Sequence, residues 1–221
     1  MLLKKIPPPF LICNSISILL LIWVILYAQK FAPPVDGLFI PPATPRYPTA
    51  GLLTHTFEVL CSIPPVICGF TMVIIRRIHP NNSNNFFLLG STILTTGLFF
   101  NEIYRIHIIL QYFEIPKLTT IRVYGVVLIL YLLLFWKILR NTNYGILLTA
   151  SLLIITAVLI DSFSSYFPMN SFLIEGVPKL LGMMNFTLYF CLVCYQTILN
   201  SYFAASIKVA SLKREQGPEN G

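Results

Sequence analysis

Residues 86–107 read FFLLGSTILTTGLFFNEIYRIH, and this stretch decides how the rest of the chain is interpreted. Its first part is mostly apolar and approaches the roughly 20 residues that a helix needs to cross a bilayer. An amide, a carboxylate, a guanidinium and an imidazole then follow closely, at Asn101, Glu102, Arg105 and His107. Ionisable groups at membrane depth are costly and usually functional. The stretch therefore predicts a membrane helix that ends in a polar cluster.

The composition of the whole chain is that of a membrane protein. Of 221 residues, 56% are hydrophobic and only 10% are charged, whereas soluble domains carry roughly 25% charged residues. The net charge of +7 comes mostly from bases at the ends of apolar runs, so it is interpreted as a topology signal. No basic stripe with an aromatic stacking platform is present, which argues against nucleic acid as a partner.

The apolar runs predict an all-α polytopic bundle of six transmembrane helices. We place them at about 10–27, 51–75, 86–106, 120–139, 145–161 and 177–199, within a single domain of residues 1–210. The first run is longer than the apolar core of a signal peptide and no A-x-A cleavage site follows it, so we expect it to be retained. The polar residues 211–221 predict a disordered cytoplasmic tail.

Basic residues near the helix ends predict the orientation. One set of helix ends collects nine Lys or Arg residues and the other set collects six. Since cytoplasmic loops carry the excess of basic residues, we expect both termini in the cytoplasm.

Acidic residues gather at the opposite, outward-facing helix ends. Glu102 lies three residues before Arg105, and Asn101 four residues before it, so a continuous helix would present the three on one face. His107 joins them only if the helix ends near Arg105. Glu175 lies four residues before Lys179, in the better orientation for an ion pair within a helix. The predicted ligand-binding residues are Glu58, Asn101, Glu102, Arg105, Asp161, Glu175 and Lys179, and the candidate metal ligands are His55 and His107.

Three interpretations of this cluster stay open. The charges could neutralise one another and hold helix ends together, or they could bind an ion, a lipid headgroup or a small ligand. They could also form a catalytic site, although no H-x-x-x-H spacing is present. In that case Glu102, His107, His55 or Asp161 would hold a divalent metal whose bound water attacks a lipid amide or ester.

Two other features have both a packing and a functional interpretation. Cys191 and Cys194 have the C-x-x-C spacing of redox thiols, but no base lies near them, so we interpret them as small packing residues. Pro64 and Pro65 interrupt the second apolar run and predict a kink, which could serve packing or form a hinge.

Two short motifs resemble those of a group of uncharacterised multi-pass bacterial membrane proteins. They are NEIYRIH at 101–107 and LIEGVPKLLG at 173–182. The chain has Asn101 where that group has an acid, and Ile108 where an acid often follows the histidine. The resemblance implies a multi-pass protein of the bacterial plasma (inner) membrane and no particular activity. The architecture is also similar to the alkaline ceramidase class, which implies the metal-dependent hydrolase as the alternative function, although the paired histidines of that class are missing.

Overall fold

The computed structural model describes residues 7–31, 35–39, 50–80, 84–162 and 171–215. Within these ranges the chain forms α-helices, one 3₁₀ turn at Val35–Leu38 and short connections, with no strand. The helices are α1 Pro8–Phe31, α2 Leu52–Ile78, α3 Asn84–Ile103, α4 Ile106–Tyr112, α5 Lys117–Asn141, α6 Tyr144–Ser162 and α7 Ser171–Glu215. The proline-rich loop beyond residue 39 and the end of the predicted tail lie outside the described residues.

Six of the described helices are long and apolar enough to cross a membrane, which confirms the predicted all-α, six-span architecture. The bounds differ from the prediction in instructive ways. The third span ends at Ile103, and the short helix α4 follows it. α7 continues to Glu215, so the first residues of the segment for which we predicted disorder extend the last helix.

Prolines set several of the helix bounds. α1 begins at Pro8 and α5 directly after Pro116, where a missing N–H costs nothing because the first N–H groups of a helix have no partner. α2 ends at Ile78, and the next residue, His79, precedes Pro80, which disfavours helical geometry at the residue before it.

Successive spans run in opposite directions, which defines two sides of the bundle. The terminal side holds the start of α1, the end of α2, the start of α3, the end of α5, the start of α6 and the end of α7. The loop side holds the other helix ends, together with α4 and the 3₁₀ turn.

α7 is the central helix of the bundle. More than half of its apolar window is buried (56%), against only 6% for α1. α6 packs along α7, and α2 packs against both α3 and α7. At Gly182 the α6 backbone comes so close that an added Cβ would lie 3.1 Å from the Ile154 nitrogen and 3.2 Å from the Ala150 oxygen. The glycine thus permits the close helix contact that membrane packing favours.

A residue of α7 replaces the backbone hydrogen bond that the double proline of α2 removes. Pro64 has no N–H, so the carbonyl of Leu60, four residues earlier, loses its usual helical donor. The Thr187 hydroxyl donates a hydrogen bond to that carbonyl at 3.0 Å. An unpaired backbone carbonyl in lipid is unfavourable, so this contact stabilises the kinked helix against α7.

Neutral polar side chains within the spans also form pairs between helices. Asn14 of α1 and Asn185 of α7 exchange two amide hydrogen bonds of 2.8 and 2.9 Å. In the same half of the bundle, the hydroxyls of Ser91 and Tyr131 link α3 to α5 at 2.7 Å. Hydrogen bonds of this kind are worth up to about 2 kcal/mol each in membranes. For the peripheral α1, the asparagine pair fixes its register along α7.

Candidate ligand site at the loop-side helix ends

The loop-side end of α3 is a break in the chain's helical path. α3 ends at Ile103, Arg105 adopts the left-handed conformation with φ 47°, and α4 begins at Ile106. For a residue with a Cβ this conformation costs about 1–2 kcal/mol. Non-glycine residues held in it are enriched at functional sites.

Because of this break, residue spacing in a continuous helix no longer places Asn101, Glu102 and Arg105 on one face. Arg105 lies outside α3 and is exposed, so three- and four-residue spacing no longer places it on the face of the other two. The break also meets the condition on which His107 could join the cluster. The His107 side chain, however, lies outside the described part of the structure.

An ion pair between α7 and α3 lies at the centre of the site. The Lys179 ammonium donates a hydrogen bond to Glu102 Oε1 at 2.7 Å. The same ammonium lies 4.5 Å from the centroid of the Phe57 ring of α2, within the range of a cation–π interaction. The two charged side chains are 36% and 25% exposed. Three spans therefore meet at one half-buried positive charge.

The helical spacing predicts Glu175 as a partner of Lys179 within α7, and that pair stays a prediction. Spacing along one helix reveals neighbours on that helix only, and it contains no information about Glu102 on α3. Glu175 and Asp161 are both partly buried at the loop-side ends of α7 and α6.

Glu58 and His55 form a second contact on the same side, within α2. His55 Nδ1 lies 3.1 Å from Glu58 Oε2, as their three-residue spacing predicts. The histidine side chain is mostly exposed, and the glutamate is half-buried. Lys179, which bonds to Glu102, also lies over the ring of Phe57, the residue directly before Glu58. The charges of α2, α3 and α7 thus converge on one region.

Asn101, next to Glu102, has an acceptor without a donor. Its side-chain oxygen is buried and receives no hydrogen bond from the described residues. A buried amide oxygen left in this state costs about 1–3 kcal/mol. Such a group calls for a donor, either a bound water or a ligand.

The 3₁₀ turn covers the loop-side end of α7. Leu38 is almost fully buried against α1, α2 and α7. The Phe39 ring lies directly against Gly176, where no side chain would fit, and the Thr54 hydroxyl of α2 donates to the Phe39 carbonyl. This segment stands one turn from Lys179 and shields that end of the helix from water.

The described side chains contain no cluster of ligands that would support the metal hypothesis. They contain no group of three or more His, Cys, Asp or Glu residues that could hold a metal ion. His55 and Glu58 supply two ligands, whereas a zinc site takes at least three from the protein. With the His107 side chain undescribed, the proposed roles of His55 and His107 stay predictions.

Two interhelical contacts were missed by sequence reasoning. Asn14 and Asn185 are amides inside apolar runs, and that rarity is a signal that could have identified them. Cys68 of α2 and Cys194 of α7 bring their sulfur atoms to 3.8 Å. No spacing rule could have paired two cysteines so far apart in sequence.

Residues 16–194 match the family described as a domain of unknown function (DUF8692), and the chain belongs to this family. No curated protein and no solved structure matches the chain.

Proposed function

We propose that this member of the DUF8692 family is a multi-pass membrane protein that binds a lipid headgroup at its loop side. Lys179, Glu102 and Asn101 would contact the ligand, and the interhelical pair between Lys179 and Glu102 is the observation that supports the proposal most directly. Because this pair joins two spans and is still partly exposed, a headgroup can reach it from the bilayer surface.

The chemistry of these groups favours a headgroup that carries both a phosphate and a hydrogen-bond donor. An ammonium has three donors, and Glu102 engages one of those on Lys179. The remaining donors suit phosphate oxygens. The buried Asn101 oxygen and the Glu102 carboxylate are acceptors, which suit an amine or a hydroxyl. Phosphoethanolamine is a headgroup that combines the two.

The depth of the site agrees with such a ligand. Glu102 lies at the loop-side end of α3, and Lys179 lies within the first turns of α7. Helix ends of membrane spans reach the interfacial layer, where lipid phosphates and amines are located. Exposed Arg105 and Arg122 on the same side add positive charge for the phosphate.

Orientation and location are part of the proposal. An even number of spans places both termini on one side, and the excess of bases at the terminal-side helix ends favours the cytoplasm. We place the protein in a bacterial plasma membrane with the headgroup site facing outward. A C-terminal reporter active only in the cytoplasm should be active, and a reporter active only outside would overturn this orientation.

The alternative function is a metal-dependent hydrolase of a lipid amide or ester. Its support is the contact between His55 and Glu58, which could provide two metal ligands. Metal analysis of protein purified without chelators tests it. One zinc per chain, lost in His55→Ala, would favour the hydrolase over simple headgroup binding.

Lipid retention tests the headgroup proposal. The protein would be reconstituted with equal amounts of phosphatidylethanolamine and a phosphate-free diacylglycerol, extracted in mild detergent, and examined by native mass spectrometry. Wild type should retain the phospholipid preferentially. Lys179→Met should lower its occupancy on the order of ten-fold, since hydrogen bonds to charged groups are worth about 1.5–3 kcal/mol.

A matched lysine on the other side controls for the loss of charge alone. Lys137 is exposed near the terminal-side end of α5, so Lys137→Met should leave the retained phospholipid unchanged. Equal retention by wild type and Lys179→Met, with both proteins folded, would refute the proposal.

A further inference from the structure

Two thiols meet inside the bundle, far from the charged site. Cys68 of α2 is 0% exposed, Cys194 of α7 is 1% exposed, and their sulfur atoms lie 3.8 Å apart. The thiol of Cys194 is directed at the sulfur of Cys68. Cys68 lies ten residues from the terminal-side end of α2, roughly 15 Å along the helix. The pair is therefore at the depth of acyl chains.

A groove between α2 and α7 leads from the lipid to Cys194, one member of this pair. It has a volume of about 290 Å³, and its lining includes Cys191 and Cys194 together with Thr71. The rim is formed by Val66, Phe70 and Tyr195, each more than 60% exposed on the outer surface of the spans. Among the described residues, no charged side chain lines the groove. An acyl chain is the occupant that such a surface meets in a bilayer.

We propose that Cys68 and Cys194 form a redox pair that an acyl-chain hydroperoxide converts to a disulfide. The groove would admit the oxidised chain, and Cys194 would be the first thiol to react because it both lines the groove and contacts Cys68. This inference is independent of the headgroup proposal, since it concerns other residues at another depth.

The reaction balances with the two thiols as reductant. Cys194 Sγ attacks the terminal peroxide oxygen, the O–O bond breaks, and the thiol proton goes to the leaving alkoxide to give a lipid alcohol and a sulfenic acid. Cys68 Sγ then attacks the sulfenic sulfur, the S–O bond breaks, and the Cys68 proton leaves with the hydroxide as water. Two electrons pass from the thiols to the peroxide.

The geometry of the site favours both steps. Thr71 lines the groove together with Cys194, and its hydroxyl is a hydrogen-bond donor available to the sulfur as its proton leaves. A disulfide bond is about 2.05 Å long, so the two sulfur atoms, now 3.8 Å apart, must approach by roughly 1.8 Å. The product would tie α2 to α7 on the terminal side of the Pro64–Pro65 kink.

The experiment uses the full-length protein in liposomes, treated with an apolar hydroperoxide such as cumene hydroperoxide. Peptide mass spectrometry without reduction measures the fraction of Cys68 linked to Cys194. We expect this linkage to form in wild type and to be absent in Cys194→Ser. Cys13→Ser removes a cysteine that lies on α1, outside the pair, and should react like wild type.

The polarity of the oxidant tests the role of the groove. Cumene hydroperoxide should form the linkage at least five-fold faster than hydrogen peroxide at the same concentration. Replacing Val66 on the groove rim by Trp should slow the apolar oxidant and leave the rate with hydrogen peroxide unchanged. Absence of a linkage in folded wild-type protein, or equal rates with the two oxidants, would overturn the proposal.

Discussion

The two sides of this bundle differ in the kind of polar groups they contain and in where those groups form pairs. On the loop side, acids and bases mix at helix ends, as in the pair of Glu102 and Lys179. The terminal-side half contains neutral pairs within the spans, such as Asn14 with Asn185. The charged residues at the terminal-side ends of α2 and α5 are basic: Arg76, Arg77, Lys137 and Arg140.

The difference has a physical cause. Within lipid, a neutral amide or hydroxyl can be satisfied by a single partner on another helix, whereas a charge requires compensation by several groups or access to water. The terminal-side pairs therefore serve helix packing. The loop-side charges keep partial exposure, and an unsatisfied acceptor, Asn101 Oδ1, lies among them. The contact of charged and aromatic groups from several helices, at Lys179, Glu102 and the Phe57 ring, is the reason we place the proposed ligand on the loop side.

The largest effect is expected from Gly182→Ala, which breaks the close packing of α7 against α6. An added Cβ would meet Ile154 Cγ1 at 2.8 Å and backbone atoms of α6 at 3.1 and 3.2 Å. Overpacking of this kind costs typically about 1–3 kcal/mol. The free energy of unfolding, measured by titration with a denaturing detergent, should fall by that amount.

Gly125→Ala is the matched control. An added Cβ at Gly125, also in mid-helix, has nothing within 4 Å among the described residues. Alanine is the better helix former by up to about 1 kcal/mol, so this variant should be as stable as wild type or more stable. Equal losses in the two variants would contradict the close contact between α6 and α7.

A smaller loss is expected when the asparagine pair is broken. Asn185→Leu leaves the Asn14 amide without its partner in lipid, and up to about 2 kcal/mol of stability should be lost. The double variant with Asn14→Leu removes both amides and should recover part of the loss. A double variant that loses the sum of both single effects would show that the two residues do not interact.

Thr187→Val tests the carbonyl freed by Pro64. The substitution keeps the shape of the side chain and removes the donor to Leu60, with an expected loss of about 1 kcal/mol. Thr156→Val is the control, since that exposed hydroxyl bonds only within its own helix, to Leu152. Its effect should stay within about 0.5 kcal/mol. The prediction fails if the two variants are equally stable.

The smallest effect on stability should come from the loop-side charges. Glu102→Gln keeps a hydrogen-bond acceptor for Lys179 and removes the negative charge. Because both side chains are partly exposed and screened by water, the loss should stay below about 1 kcal/mol. If Glu102→Gln lowers the free energy of unfolding as much as Gly182→Ala in the same detergent titration, the prediction is wrong. The main role of the pair would then be to stabilise the fold.

Hydrophobic runs predicted the six spans because a bilayer imposes a length and a composition on each of them. The break at Arg105 could not be predicted, since neither proline nor glycine marks it. No pattern in the sequence predicts that Leu38 and Phe39 pack against α7.

For the candidate site, the sequence predicted a contact within one helix better than the contacts between helices. The i,i+3 contact of His55 with Glu58 followed from spacing within one helix. The contacts of Lys179 with Glu102 and Phe57 depend on how three helices pack, which spacing within a helix does not encode.

The central claim is that the pair of Glu102 and Lys179 binds a headgroup and does more than join α3 to α7. The charge-swapped double variant Glu102→Lys, Lys179→Glu separates these roles, because an ion pair can re-form while the ligand meets reversed charges. The measurement is phosphatidylethanolamine retention by native mass spectrometry, with the free energy of unfolding recorded in parallel. We predict stability close to wild type and a loss of retention on the order of ten-fold. Wild-type retention in the swapped protein would contradict the account and leave the pair a purely structural role.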